Sequence, residues 1–146
     1  MQKVKILPDS NCFVAAVCAW HEHHAATVAA LAVEAKAGHG IVIAAPALVE
    51  AYAVLTRLPQ PHRLALADAH HLLEGNWGRN EIVGLSAKEY WQFLARCRDE
   101  GIGGGMTYDA LIAACARKSA ADVLLTWNVA HFVRFRGDFD VRAPAA

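Results

Sequence analysis

Three acids and one amide stand where apolar stretches of the chain end. Asp9 follows Val4-Lys5-Ile6-Leu7-Pro8, and Glu50 lies in Pro46-Ala47-Leu48-Val49-Glu50-Ala51-Tyr52. Asp109 sits in Tyr108-Asp109-Ala110-Leu111-Ile112-Ala113-Ala114, and Asn128 closes Leu124-Leu125-Thr126-Trp127-Asn128. Oxygen-bearing side chains are costly in apolar surroundings unless something compensates them. A hard cation such as Mg²⁺ compensates several at once, because it takes oxygen ligands. Carboxylates gathered without one repel: at ~4 Å and an effective dielectric of ~20, each pair costs about 4 kcal/mol. At least one would then hold a proton. The spacing therefore suggests a metal site assembled from distant parts of one fold.

Each acid also has a plainer reading. Asp9, Ser10 or Asn11 could cap the helix that follows. Glu50 and Asp109 could favour the positive end of a helix dipole. Glu50 is, however, the only charged residue between Lys36 and Arg57. Their joint placement favours a site, since ligands of open parallel sheets bind beyond the carboxyl ends of the strands.

The elements that must position these residues read as alternating strands and helices. Val4 to Leu7 is a short buried strand ended by Pro8. Asn11 to Trp20 and Ala25 to Ala37 read as helices, stopped by Gly38 and Gly40. Ile41 to Ala44 is a second strand, and Pro46 opens a helix running to Arg57, before Pro59. His62 to Leu73 reads as another helix and Gly75-Asn76-Trp77-Gly78 as a turn. A third strand follows at Glu81 to Leu85. Ser86 and Glu89 form a capping box for a helix ending near Glu100. Gly101 to Gly105 is a loop, and Thr107 is placed to cap Tyr108 to Lys118. Asp122 to Thr126 is a fourth strand, Val129 to Phe135 a short helix, and Phe139 to Val141 a candidate fifth strand. This order predicts an α/β fold with a mainly parallel sheet covered on both faces. With no repeat and no linker, one domain over 1–146 is expected.

The 146 residues are 55% hydrophobic and carry no net charge. One core can bury most of such a chain, and disorder is disfavoured. Overall charge does not advertise a nucleic-acid partner, but local patches suffice for phosphate contacts. Arg57, Arg63, Arg79, Arg117, Lys118, Arg134 and Arg136 are available for one. Cys12, Cys18, Cys97 and Cys115 form no C-x-x-C pair and read as reduced cytosolic thiols. No signal peptide and no membrane span is expected, the latter needing ~18 uncharged apolar residues.

Eight histidines invite a zinc reading. Zinc sites converge tetrahedrally, commonly with His at helical i, i+4 spacing. His21-Glu22-His23-His24 is too compact for that and reads as a solvated helix end. The chain has no P-loop and no G-x-S-x-G, which removes two enzyme classes. A phosphatase of the haloacid dehalogenase type would want a second Asp two residues after Asp9, where Asn11 stands.

Four segments in order carry a family resemblance. They are Leu7-Pro8-Asp9-Ser10-Asn11, the helix from Ala47 through Glu50 to Pro59, Tyr108-Asp109-Ala110-Leu111-Ile112-Ala113-Ala114, and Leu125-Thr126-Trp127-Asn128-Val129-Ala130-His131-Phe132. Together they resemble the acidic motifs of PIN-domain ribonucleases, most closely the VapC-type toxins, over nearly the whole chain. The resemblance implies a three-layer sandwich with a central, mainly parallel sheet of four to five strands. It implies a cytoplasmic endoribonuclease dependent on Mg²⁺ or Mn²⁺, leaving 5′-phosphate and 3′-hydroxyl ends. Asp9, Glu50 and Asp109 would hold the metal and Asn128 would join them in catalysis. Ser10, Asn11, Arg57, Thr126, His23 and His24 would border the RNA. A cognate antitoxin and a homodimer are implied as partners. Asn128 and His131 stand where the family often carries Asp. The rival reading is a non-catalytic RNA- or protein-binding domain that kept the fold.

Overall fold

The computed structural model describes residues 3–145. Residues 1, 2 and 146 of the expected domain lie outside them. The chain runs β1 (Lys5–Pro8), α1 (Ser10–Val17), α2 (His24–Lys36), β2 (Gly40–Ala44), α3 (Ala45–Thr56) and α4 (Leu66–Trp77). It continues with β3 (Glu81–Val83), α5 (Ala87–Glu100), α6 (Met106–Lys118), β4 (Val123–Leu125), α7 (Val129–Phe132), a 3₁₀ turn (Val133–Phe135) and β5 (Asp140–Arg142). The five strands form one sheet in the order β3-β2-β1-β4-β5, every pair parallel.

Burial explains why the central strands are apolar without interruption. In β1 and β4, alternate side chains point to opposite faces, and both faces are covered. Leu7 and Leu124 join the larger core, which takes in Phe13, Leu55, Ala113 and Phe132. Ile6, Val123 and Leu125 join a smaller core on the other face, with Cys12 from α1 and Leu31 from α2 against it. The edge strands β3 and β5 instead expose Glu81, Ile82, Asp140 and Arg142. The result is the expected three-layer arrangement, with the fifth strand present. All four cysteines are free and buried.

Several boundaries differ from the sequence reading: α1 stops at Val17 rather than Trp20, β3 at Val83 rather than Leu85, and Val129 to Phe135 divides into α7 and the 3₁₀ turn. The fourth helix begins at Leu66 and runs through Gly75 and Asn76 to Trp77, where a turn was expected. The Trp77 ring packs edge-on against Phe13, centroids 4.7 Å apart, and this buried contact outweighs the small helix penalty of Gly75. Thr107 does not cap α6. The helix starts two residues earlier than expected, at Met106, with Gly105 at the cap position and no side-chain cap. The capping box at Ser86 is formed as expected: Glu89 N–H donates to Ser86 Oγ (3.2 Å) and Ser86 N–H donates to Glu89 Oε1 (2.7 Å).

The strand order puts the site at the middle of the sheet. β1 is central, with β2 and β3 on one side and β4 and β5 on the other. Successive connections leave β1 in opposite directions, so a crevice opens beyond the carboxyl ends of β1 and β4. Asp9 directly follows β1, and Thr126 directly follows β4.

Candidate active site

Asp9 performs both tasks its sequence position allowed. It caps α1, and its Oδ1 accepts from Ser10 N–H (2.8 Å). Its Oδ2 accepts from the Thr126 hydroxyl (3.0 Å) and from Asn11 Nδ2 (3.3 Å). The backbone of Asp9 is pinned as well, since its N–H donates to Leu125 O (2.8 Å). The residue is only 6% exposed. Burial is the main reason its carboxyl is pushed up to about 6, with the Ser10 and Thr126 hydrogen bonds opposing and the Glu50 and Asp109 charges adding.

The other acids arrive from separate helices. On α3, Ala47, Ala51 and Leu55 turn into the core, which leaves Glu50 on the flank of that buried stripe, at the crevice mouth. Asp109 lies in the first turn of α6, where its charge suits the helix dipole. Burial raises its carboxyl above the ordinary value; His131 opposes this and Glu50 reinforces it. The His131 Nδ1 stands 3.8 Å from Asp109 Oδ2. Asn128 occupies the cap position of α7 without a side-chain cap bond, so its amide remains available. Its N–H donates to Thr126 Oγ1 (3.0 Å).

Asp9, Glu50, Asp109 and Asn128 line one pocket of about 240 Å³, together with Ser10, Asn11 and His21. Glu50, Asp109 and Asn128 also line a wider groove of about 1200 Å³. Arg57, Tyr90, Tyr108, His131 and Arg134 stand along that groove. Among the described residues, no three His, Cys, Asp or Glu side chains are close enough together to grip a bare ion as they stand. The donor set nonetheless fits a hydrated divalent cation. Mg²⁺ keeps several of its waters and takes only one or two carboxylates directly. Burial does most to raise the Asp9 carboxyl, and the Glu50 and Asp109 charges, which a cation would offset, add to it.

The PIN domain family model matches residues 6–135. The chain belongs to the PIN-domain family. Ribonuclease VapC40 of Mycobacterium tuberculosis is 38% identical over 119 residues, covering 82% of this chain and 84% of that relative. Ribonuclease VapC27 of the same species is 34% identical over 121 residues, covering 82% and 75%. Among solved structures, VapBC2 from Rickettsia felis, bound to a DNA fragment from its promoter, superposes with a TM-score of 0.68. That match spans 96% of this chain and 98% of the other, at 22% identity, and concerns the fold.

Several residues expected to border RNA in this PIN domain have other duties. Thr126 has no exposed surface; its hydroxyl donates to Asp9 and accepts from Asn11 Nδ2 (3.2 Å) and Asn128 N–H. Asn11 accepts from Trp127 N–H through its Oδ1 (3.2 Å), which ties the end of β4 to α1. His23 stacks on Trp127 at 3.8 Å, and His24 donates through Nδ1 to Ala15 O (2.8 Å). The histidine that lines the acid pocket is His21, which the sequence reading passed over. Its Nδ1 accepts from His23 N–H (3.0 Å), and burial lowers its pKa. Arg57 does line the groove. Tyr90 and Tyr108 were also missed. Tyr108 already adjoins Asp109 in the sequence, but that Tyr90 lines the same groove shows only in the fold.

Proposed function

We propose that this PIN domain is an Mg²⁺-dependent endoribonuclease, the toxin component of a toxin–antitoxin pair. One observation carries the reading: three carboxylates from three different elements surround a single pocket at the open end of the sheet. The names of the relatives, ribonucleases of the VapC type, support the same activity.

Asp9, Glu50 and Asp109 would hold the cation, with Asn128 beside them as a neutral oxygen donor. A bound divalent ion supplies charge to offset a phosphate and acidity for a nucleophilic water. The remaining work belongs to the chain. Thr126, Ser10 and Asn11 fix the Asp9 carboxylate and favour its charged form. Arg57 and Arg134 are suited to phosphate oxygens, as guanidinium forks commonly are. Tyr90 and Tyr108 offer faces for unpaired bases, the usual way single-stranded RNA is held. Hydrolysis would leave 5′-phosphate and 3′-hydroxyl ends.

A single domain, a homodimer and a cognate antitoxin complete the proposal. The exposed Val28 and Val33 of α2 and Leu66 of α4 are apolar surface available for such partners. No helix among the described residues is long and apolar enough to cross a membrane. The likeness to VapC-type ribonucleases supports the cytoplasm as the proposed compartment. A brief pulse of expression followed by end-mapping of total RNA tests this reading. Growth arrest with new 5′-phosphate ends is expected from the natural chain and neither from Glu50→Gln. Equal arrest by both proteins would overturn it.

A further inference from the structure

The arginines of this chain are not spread evenly. A second, strongly polar pocket of about 340 Å³ lies between α5, α6 and the 3₁₀ turn. Arg96, Arg117, Arg134 and Arg136 line it, with Glu100 and Asp138 as the only acids. Four guanidinium groups thus face two carboxylates. The pairs that form are incomplete. Arg96 reaches Glu100 at 3.2 Å, but Arg117 lies 3.9 Å from Asp138 and its side chain is only 19% exposed. Arg136 donates to Val141 O (3.2 Å) and Arg134 to Glu100 O (3.3 Å), contacts that neutralise no charge. Burial lowers the Arg117 pKa and the neighbouring Arg96 lowers it further, with Asp138 and Glu100 opposing only in part. Packed cations of this kind are costly unless an anion shares them.

Arg134 also lines the wide groove that reaches Glu50, Asp109 and Asn128. The two spaces therefore share Arg134 as a wall, which sets the arginine pocket directly beside a strand lying in the groove.

We infer that the Arg96–Arg117–Arg134–Arg136 pocket is a phosphate-binding extension of the substrate groove, holding the RNA backbone several nucleotides away from the cut bond. This rests on the ribonuclease reading above. The site takes the phosphodiester backbone without regard to base, since guanidinium forks match phosphate oxygens and nothing aromatic lines the pocket except Phe135. Short RNA would fill the acid pocket and the groove. Only longer RNA would reach the arginines.

The test compares two lengths of labelled, mixed-sequence single-stranded RNA, of roughly 5 and roughly 20 nucleotides, a single OB-fold-sized footprint and a longer one. Binding is followed by fluorescence anisotropy from low to high KCl with Mg²⁺ present. The full chain carries Asp9→Asn so that the RNA stays whole. Adding Arg96→Gln and Arg136→Gln should weaken the long RNA only, and should lower its salt slope by about 1.4, two contacts at about 0.7 each for a single strand. Arg96→Lys with Arg136→Lys keeps the charge and should restore most of that slope. Unchanged binding of the long RNA would overturn the inference. So would a polyglutamate chain displacing the long RNA as well as unlabelled RNA does, which would make the pocket a protein-docking site. If neither length binds the parent protein, the ribonuclease reading itself fails and this site falls with it.

Discussion

Replacing Asp9 by Asn should make the metal-free protein more stable, although it removes the best-held acid of the site. The folded carboxyl titrates at about 6 against an ordinary 3.8, and burial is the chief cause. Each pH unit of such a difference is worth about 1.4 kcal/mol, so the ionised form costs the folded state about 3 kcal/mol. Between the two values the folded chain binds more protons than the unfolded one, and stability falls as pH rises. Below the ordinary value both states are protonated and the penalty vanishes. Above about pH 6 the penalty is present in full.

Asn carries no charge and avoids this loss. Its Oδ1 can still accept from Ser10 N–H. Its Nδ2 then faces both Asn11 Nδ2 and the Thr126 hydroxyl, which donate to the natural carboxylate, and these mismatches cost about 1–2 kcal/mol. The expected net gain at pH 8 in EDTA is about 1–2 kcal/mol, or about 2–8 °C in Tm for a chain of this size. At pH 4 the gain should disappear or reverse. Saturating Mg²⁺ should raise the natural protein's Tm at pH 8 and leave that of Asp9→Asn nearly unchanged. Thermal melts at the two pH values, with and without Mg²⁺, decide the matter. A variant less stable than the natural protein at pH 8 in EDTA, or a gain independent of pH, would refute the reasoning.

Other expectations concern the groups around Asp9. Thr126→Val removes a hydroxyl that donates to the carboxylate, so the acidic limb of the pH–activity profile should move to higher pH. It also leaves Asn128 N–H without its acceptor and Asn11 Nδ2 with Asp9 alone, at about 1–3 kcal/mol, readable by urea unfolding. Asn128→Asp adds a fourth negative charge and should lower the Mg²⁺ concentration giving half-maximal cleavage. Asn128→Ala should lower activity less than Asp9→Asn does, because water can replace a neutral ligand; complete inactivity with Mg²⁺ affinity intact would instead give Asn128 a role in placing RNA. Changing both His23 and His24 to Ala should destabilise the protein by removing the Trp127 stack and the Ala15 bond. It should leave the preference for Mg²⁺ over Zn²⁺ unaltered in cleavage assays.

How much of this was legible in the sequence depends on the range of the interactions involved. β1 and β4 are buried on both faces, so their apolar runs announce them, and Asp9 stands out because it interrupts one. The Ser86 and Glu89 capping box spans three residues and could be read directly. The end of α4 could not, because Trp77 is held by Phe13, which belongs to a helix some sixty residues earlier. The role of Thr126 was hidden for the same reason: its bond to Asp9 crosses 117 positions. His21 was overlooked because three histidines in a row of four residues look alike until α1 and α2 set their angles. The arginine pocket draws on α5, α6 and the 3₁₀ turn, and no spacing in the sequence marks it.

If Asp9, Glu50 and Asp109 hold the cation that RNA cleavage requires, stripping the metal must stop the reaction. The direct measurement is cleavage of total RNA by metal-stripped protein as Mg²⁺ is added back, with Asp9→Asn alongside and fragment ends mapped. No cleavage is expected before Mg²⁺, saturable cleavage to 5′-phosphate ends after it, and none at any Mg²⁺ concentration from a folded Asp9→Asn. Cleavage in excess EDTA, or Mg²⁺-dependent cleavage retained by Asp9→Asn, would contradict that assignment.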